Sequence, residues 1–393
     1  MELIKKFQAQ ILAHAIFLKP DNEYHSRIKE AFLNTPRHLY IKKYKEQPTT
    51  PWITVTDENL GSLIPMLYAD RPLFLHDEPG DEFKSTISQP HIVLRMLEML
   101  QLEPGHTVFE VGAASGWDAA LMGALVGNEG HVYSAEIIPA MAQQARENIE
   151  QAQIQNVTIL ESDAGFGYEA KAPYDRIIFT AAAHDLPACF FSQLKDGGIL
   201  LLVLTVAGGG EVLLQFKKTG DHFETMQVSK CRFVRMTGQY YAPRLDMTSL
   251  EVIPEWASLK DKEINKIPFW WGASSYIKLP FSFNTSAFRF YLGLADPGTR
   301  AIKNENNEHD MVFFGLLTPD KTSFIIAKEG ELVTYGNEQA KQLFMQHLQN
   351  WVGLGMPGPA NFKLKVYSKG SNMPAAEHQW IVERTDAVFV WSL

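Results

Sequence analysis

Cysteine is nearly absent from the chain, with two residues, Cys189 and Cys231, among 393. Neither a CxxC pair nor a Cys/His spacing accompanies them, so a disulfide framework and a zinc module are set aside. No metal is expected, and a reducing, cytoplasmic compartment fits. Long hydrophobic runs are also missing. The N-terminal stretch MELIKKFQAQILAHAIF carries a helical stripe at Ile4, Phe7, Ile11, Leu12, Ala15 and Ile16, broken by Lys, Gln and His. It lacks the apolar core of a signal peptide and falls short of the ~20 residues that span a bilayer, so it reads as a packing helix. Positive charge is in deficit: 36 Lys and Arg stand against 45 Asp and Glu, a net charge of -9, which speaks against nucleic acid or an anionic membrane as partner. The cluster Lys42, Lys43, Lys45 reads as a solvated helix face. No repeat of fixed period and no low-complexity tract occurs.

What is present is the material of a globular protein, 46% hydrophobic and 11% aromatic, long enough for two domains. From Val108 short apolar runs alternate with amphipathic segments, the pattern of a parallel sheet covered by helices. TVFEVG, GHVYSAE, NVTILESD, YDRIIFTAAA and ILLLVLTV are the expected strands. Helices are expected from about Asp118 to Val126, from Pro139 along the stripe Met141, Ala142, Ala145, Ile149, and near Phe190 to Lys195. EVLLQFKK and SKCRFVRM are expected to pair antiparallel at the sheet edge. This reading gives an α/β, doubly wound domain over 1–238, with a helical part over about 1–100, and a linker over 239–255 containing Pro243 and Pro254. A C-terminal α+β, β-rich domain over 256–393 follows. In it SAFRFYLGL, MVFFGLL and SFIIAKEG read as strands, 296–310 as a polar loop and Glu338 to Val352 as a helix. Its aromatics Phe269, Trp270, Trp271, Phe281, Phe283, Phe288, Phe290 and Tyr291 read mainly as core, with an aromatic-lined peptide groove as the alternative.

The loop FEVGAASGW carries the most chemistry. Its spacing, Gly112-x-Ala114-x-Gly116 with Glu110 inside the strand, is not the G-x-G-x-x-G of a dinucleotide fold, which counts against a nicotinamide-dependent dehydrogenase. It resembles the first motif of S-adenosylmethionine-dependent methyltransferases, whose ligand has no phosphate to cradle. On that reading Gly112, Ala113, Ala114 and Gly116 offer close backbone approach, and Glu110 stands near the ammonium of the methionine tail. Glu136, with Ile137 beside it, accepts from the ribose hydroxyls. Asp163 accepts from the adenine amine, Ala164 flanks the ring, and Thr180 joins the site at the end of the fourth strand. Taken singly, each acid also reads as an ordinary strand-end residue that caps a turn. Ala114 is harmless if its φ is negative and costs about 1 kcal/mol if it is positive.

A series of motifs in order, NTPRHLYI, STISQPHIV, FEVGAASGW, APYDRIIFTAAA and CRFVRMTG, is similar to the protein-L-isoaspartate O-methyltransferases through about Gly238. The chain departs from them at Ala113-Ala114, where Thr-Gly is usual, and at Trp117, where Tyr is common. The resemblance implies a Rossmann-like methyltransferase fold and methyl transfer from S-adenosylmethionine to a carboxylate on an isoaspartyl or aspartyl residue of a protein or peptide. The ester then leads to a succinimide, as in protein repair. It also implies that the Ser88 hydroxyl lies near the acceptor carboxylate and that Thr86 supports that loop. From the residues alone, Ser88 also reads as the N-cap of a helix starting at Pro90. WVGLGMPGPANFKLKV is similar to a Trp-x-x-x-Gly-x-Pro stretch of a longer branch, which modifies aspartates of ribosomally made peptides, though Gly and Pro there also suit a helix stop. The alternatives are thus an aspartate methyltransferase of such a peptide pathway, or a protein-binding adaptor that kept the fold and lost turnover.

Overall fold

Five apolar runs, each ending at a turn, build the parallel core of the first half of the chain: β1 (Thr107–Val111), β2 (His131–Glu136), β3 (Val157–Glu161), β4 (Tyr174–Phe179) and β5 (Leu194–Val206). The computed structural model describes residues 2–77, 84–208, 210–241, 249–268, 285–303, 312–328, 330–371, 373 and 379–393. The chain divides into two units, one comprising Met1–Val203, Leu214–Met226 and Phe233–Tyr241, the other Leu204–Leu213, Gln227–Arg232 and Ala242–Leu393.

In the first unit the strands lie in the order β5-β4-β1-β2-β3, all parallel. The chain steps outward from β1 to β3 and then returns to place β4 on the other side of β1. That reversal opens a crevice at the carboxyl ends of β1 and β4. Ile199 to Leu204 of β5 are buried without alternation, as a strand covered on both faces requires. β6 (Gly210–Thr219) and β7 (His222–Lys230) follow beside β5. β5 and β6 are 13 and 10 residues long against five for β1, and residues 204–213, assigned from sequence to the catalytic domain, belong to the second unit.

Helices Trp117–Val126 and Pro139–Gln151 make the crossovers. Leu121, Met122, Leu125 and Val126 are all buried, so the first is a core helix, and truncating any one of these side chains to Ala removes about 2–5 kcal/mol. In the second helix the expected stripe Met141, Ala142, Ala145, Ile149 is the buried face. Ahead of the sheet stand helices Glu2–His14, Glu23–Asn34, Leu60–Leu67 and Pro90–Leu100. Gln8 Nε2 donates to the carbonyl of Phe32 at 2.9 Å and so ties the first of these to the second. Among the described residues no helix is long and apolar enough to cross a membrane.

The second unit has a five-stranded antiparallel sheet in the order Glu263–Pro268, Glu331–Tyr335, Phe324–Lys328, Val312–Leu317, Thr299–Lys303. Helices Thr285–Ala295 and Gln339–Gly353 accompany it. Lys363–Ser368, Ala387–Ser392 and Gln379–Glu383 form an antiparallel set.

Several expectations are corrected. SAFRFYLGL is not a strand but most of helix Thr285–Ala295. Its run of aromatic and aliphatic residues suits a strand, but Ser286, Arg289 and Gly293 recur at the three- and four-residue spacing of a helix. The strand that pairs with Gly210–Thr219 is His222–Lys230, which does not close the sheet as an edge, and not SKCRFVRM, whose Arg235 instead makes an isolated parallel bridge with Ala182. Lys43–Tyr44 is a strand, and Lys45 is buried beside Asp77 at 3.7 Å, so the lysine cluster is not a helix face. The expected linker 239–255 is not a bare spacer: Gly238–Tyr240 is a 3-10 turn, and Ile253 is buried in the core of the second unit with Trp256. Residues 242–248 and 304–310, with Phe269, Trp270, Trp271, Phe281 and Phe283, lie outside the described residues. Phe288, Phe290 and Tyr291 are buried.

Candidate functional site

The crevice holds a cavity open to solvent. Its floor is the loop after β1. Gly112 has φ +102°, and a Cβ there would lie 2.8 Å from Thr180 Oγ1, so only glycine fits. Thr180 Oγ1 in turn lies 2.8 and 2.7 Å from the carbonyls of Val111 and Gly112 and fixes that turn. Gly116, φ +81°, starts the helix against Ala145 and Ile149 and is behind the cavity wall. Ala113 and Ala114 line the cavity. Ala114 has φ +46°, the strained alternative for this position, at a cost of about 1 kcal/mol.

Two of the strand-end acids, Glu136 and Asp163, line the cavity, and each is oriented by backbone amides. Glu136, 5% exposed, accepts from Ala114 N–H at 2.8 Å through Oε2 and from Ile138 N–H at 3.0 Å through Oε1. Burial raises its pKa against the pull of those amides. Asp163 Oδ1 accepts from Gly165 N–H at 2.8 Å and Oδ2 from Gln239 N–H at 2.8 Å. The second bond needs close approach at Gly238, where a Cβ would lie 2.3 Å from Oδ2. Ile137 and Ala164 complete this side of the lining.

Glu110 is placed differently from the expectation. It is fully buried, and it sits behind the lining with Oε2 accepting from the Ser134 hydroxyl. Burial and the charge of Asp118 raise its pKa well above the carboxylate range.

The cavity is also lined by the strand Lys84–Ile87, paired antiparallel with Leu73–Asp77. It brings Thr86 and then Ser88 to the cavity. Ser88 is not the cap of the helix that follows: that helix starts after Gln89, and Asp70 supplies the cap by accepting from His91 N–H at 2.8 Å. The buried Arg37 of the NTPR segment holds the Ser88 turn from behind. Its guanidinium donates to the carbonyls of Leu67 at 2.6 Å, Arg71 at 3.0 Å, Ile87 at 3.3 Å and Ser88 at 2.9 Å. Desolvation lowers its pKa to about 10. Trp117 lies 5.7 Å beneath that guanidinium and donates through Nε1 to the Thr35 carbonyl at 3.0 Å.

Sequence reasoning missed Arg37, Asp118 and Arg235 as individual site residues. Asp118 and Arg235 line the cavity. Asp118 looks like any acid in the first turn of a helix, which the dipole favours regardless of function. For Arg37 the signal was the quoted motif itself, whose arginine fills a shell behind the site.

The residues fit S-adenosylmethionine. Two oriented carboxylates stand at the ends of adjacent strands, for hydroxyl and amine donors. A glycine without room for a side chain lines the cavity, and Thr86 and Ser88 line it too.

Comparison with known proteins agrees. The family model described as Protein-L-isoaspartate(D-aspartate) O-methyltransferase (PCMT) matches residues 18–241. The chain is 36% identical over 217 residues to a protein-L-isoaspartate O-methyltransferase of Methanosarcina mazei, covering 54% of this chain and 78% of the relative. To one of Ignicoccus hospitalis it is 37% identical over 207 residues, covering 53% and 87%. A solved protein-L-isoaspartate O-methyltransferase superposes with a TM-score of 0.54 at 20% identity, over 92% of this chain and 95% of the other, a likeness of fold that continues past residue 241.

Proposed function

Because the chain belongs to the protein-L-isoaspartate (D-aspartate) O-methyltransferase family, we propose that it binds S-adenosylmethionine in the cavity and methylates a carboxylate on an isoaspartyl residue of a protein or peptide. The observation that carries this reading is the convergence of Ser88 and Thr86 with Glu136 and Asp163 on one cavity.

S-adenosylmethionine, when bound, supplies an electrophilic methyl group on a sulfonium. The acceptor carboxylate, with an ordinary pKa near ~4, is ionised at neutral pH, so the protein need not remove a proton from it. The work left to the chain is orientation and exclusion of water. Ser88 and Thr86 offer hydroxyl donors to the acceptor oxygens, and Arg37 fixes the backbone that carries Ser88. Glu136 and Asp163, each locked by two backbone amides, offer their remaining lone pairs to the nucleoside part of the cofactor. Neither an adaptor without turnover nor a dedicated peptide-biosynthesis enzyme is favoured by the relatives.

The test is transfer of labelled methyl to an isoaspartyl peptide and to its aspartyl counterpart. Base-labile label on the isoaspartyl form is expected, with Ser88→Ala lowering kcat/KM at least tenfold. Label on neither peptide would overturn the reading, and preference for an aspartyl peptide would move the substrate to the biosynthetic branch.

A further inference from the structure

The charged side chains of the cavity divide by the segments that carry them. Among the described residues its acids, Asp118, Glu136 and Asp163, come from the segments at the ends of β1, β2 and β3. Its cations come from elsewhere: Lys84 from the strand Lys84–Ile87, and Arg235 from the stretch bridged to Ala182. Side chains alternate along a strand, so Lys84 shares a face with Thr86, and burial agrees: Ser85 and Ile87 are buried, whereas Lys84 and Thr86 are not. One same-face step, about 6–7 Å of strand, therefore separates the ammonium from the hydroxyl offered to the acceptor.

Lys84 is also able to change partner. It pairs with Asp77 Oδ1 at 3.1 Å with its side chain 47% exposed, while Asp77 Oδ2 lies 3.7 Å from the ammonium of Lys45, a pair in which both side chains are only 11% exposed. Asp77 keeps its buried counter-ion when Lys84 turns away, and the half-exposed pair that is given up is a weak one. The anion that suits Lys84 is not the acceptor itself. Methyl transfer converts the acceptor carboxylate into a neutral ester, so a cation fixed on it would stabilise the starting charge more than the transition state and slow the step. A carboxylate on a neighbouring residue of the same substrate keeps its charge throughout, and its attraction to Lys84 is binding alone.

We propose that Lys84, with Arg235 as a second cation of the lining, selects acidic substrates: peptides carrying Asp or Glu two residues from the residue that is methylated. The inference rests on the reading that this cavity methylates an isoaspartyl carboxylate, and it names the substrate class. The offset is that of an extended peptide lying along Lys84–Ile87, whose same-face side chains repeat with the period that separates Lys84 from Thr86. The stretch that carries Arg235 is held by two bonds of 2.8 Å, from Ala182 N–H to the Val234 carbonyl and from Met236 N–H to the Ala182 carbonyl. With a net charge of -9 the chain as a whole does not draw in an acidic peptide, so the preference is local.

The experiment measures kcat/KM for labelled methyl transfer to three isoaspartyl peptides that differ only two residues before and two residues after the isoaspartyl, where they carry Glu, Gln or Lys. Wild type, Lys84→Gln, Lys84→Glu and Arg235→Gln are each assayed at low ionic strength. Wild type is expected to favour the Glu peptide over the Gln peptide about fivefold, the upper end for one partly exposed ion pair. Lys84→Gln is expected to bring that ratio below about two, Arg235→Gln to lower it, and Lys84→Glu to turn the preference toward the Lys peptide. Added salt, which needs no variant, is expected to shrink the wild-type ratio. Equal losses on all three peptides in Lys84→Gln, as a structural role predicts, would overturn the proposal. So would a loss of affinity for S-adenosylhomocysteine that matches the loss in kcat/KM, because Lys84 would then serve the cofactor. Wild type that labels the Glu and Gln peptides alike overturns this inference alone, whereas wild type that labels no peptide overturns the reading of the cavity with it.

Discussion

Ala114 donates its backbone N–H to Glu136 Oε2 at 2.8 Å while its own φ is held at +46°. The bond and the strain belong together, since the turn that aims the amide at the carboxylate is a left-handed one that alanine adopts at a cost. Ala114→Gly is therefore expected to stabilise the fold by about 0.5–1 kcal/mol while keeping the amide and its bond. Urea denaturation checks this, and a lowered midpoint would show that the methyl group contributes packing that outweighs the strain.

Glu136 accepts two backbone amides, so replacing one of its oxygens by an amide nitrogen turns a donor toward a donor. Glu136→Gln is expected to lose about 1–3 kcal/mol of stability and at least tenfold in affinity for S-adenosylhomocysteine. Denaturation and calorimetry on the same preparation read the two effects separately.

The three acids around the loop set a pH dependence of definite sign. Burial raises the pKa of Asp118 to about 7, with Arg37 opposing it, and also raises those of Glu110 and Glu136. In the unfolded chain such groups titrate near ~4. Between about pH 4 and 7 the folded protein therefore holds protons that the unfolded chain has released, and the free energy of unfolding falls as pH rises through that window. His38, His106 and His131, whose pKa values burial lowers, act in the opposite sense. The difference between wild type and Asp118→Asn isolates the carboxyl contribution: wild type loses more stability than the variant between pH 5 and pH 8. A difference independent of pH would show that Asp118 is already ionised throughout.

Arg37 holds four carbonyls in two stretches of backbone, and a lysine ammonium lacks the planar fork to span them. Arg37→Lys is expected to cost about 2–4 kcal/mol and to lower kcat/KM for an isoaspartyl peptide at least tenfold, because the Ser88 turn loses its anchor. Denaturation and steady-state kinetics check the pair, and full activity with reduced stability would separate the anchor from the chemistry.

The parallel sheet was legible because its strands are buried runs punctuated by Gly and Pro, and the strand-end acids because chain position alone brings them to one edge. Burial order was not legible. Glu110 and Asp118 stand eight residues apart, and which of them faces the cavity depends on the strand pleat and on the tight turn that starts the helix. Ser88 looked like a cap because nothing local reveals that Asp70, from another segment, reaches His91 N–H first. Helix Thr285–Ala295 was misread because its aromatic content outweighed a narrow face, Ser286, Arg289 and Gly293, whose helical spacing was there to be read.

Gln239 has a bearing on where a minimal catalytic fragment can end. A chain cut after Gly238, where the motif resemblance stops, would discard the amide that holds Asp163 Oδ2 and leave that carboxylate free to swing. It would also discard Tyr240, whose ring packs over Gly165, the other residue that orients Asp163. Two further residues, through Tyr240, restore both, and the first unit itself runs one residue beyond them, to Tyr241.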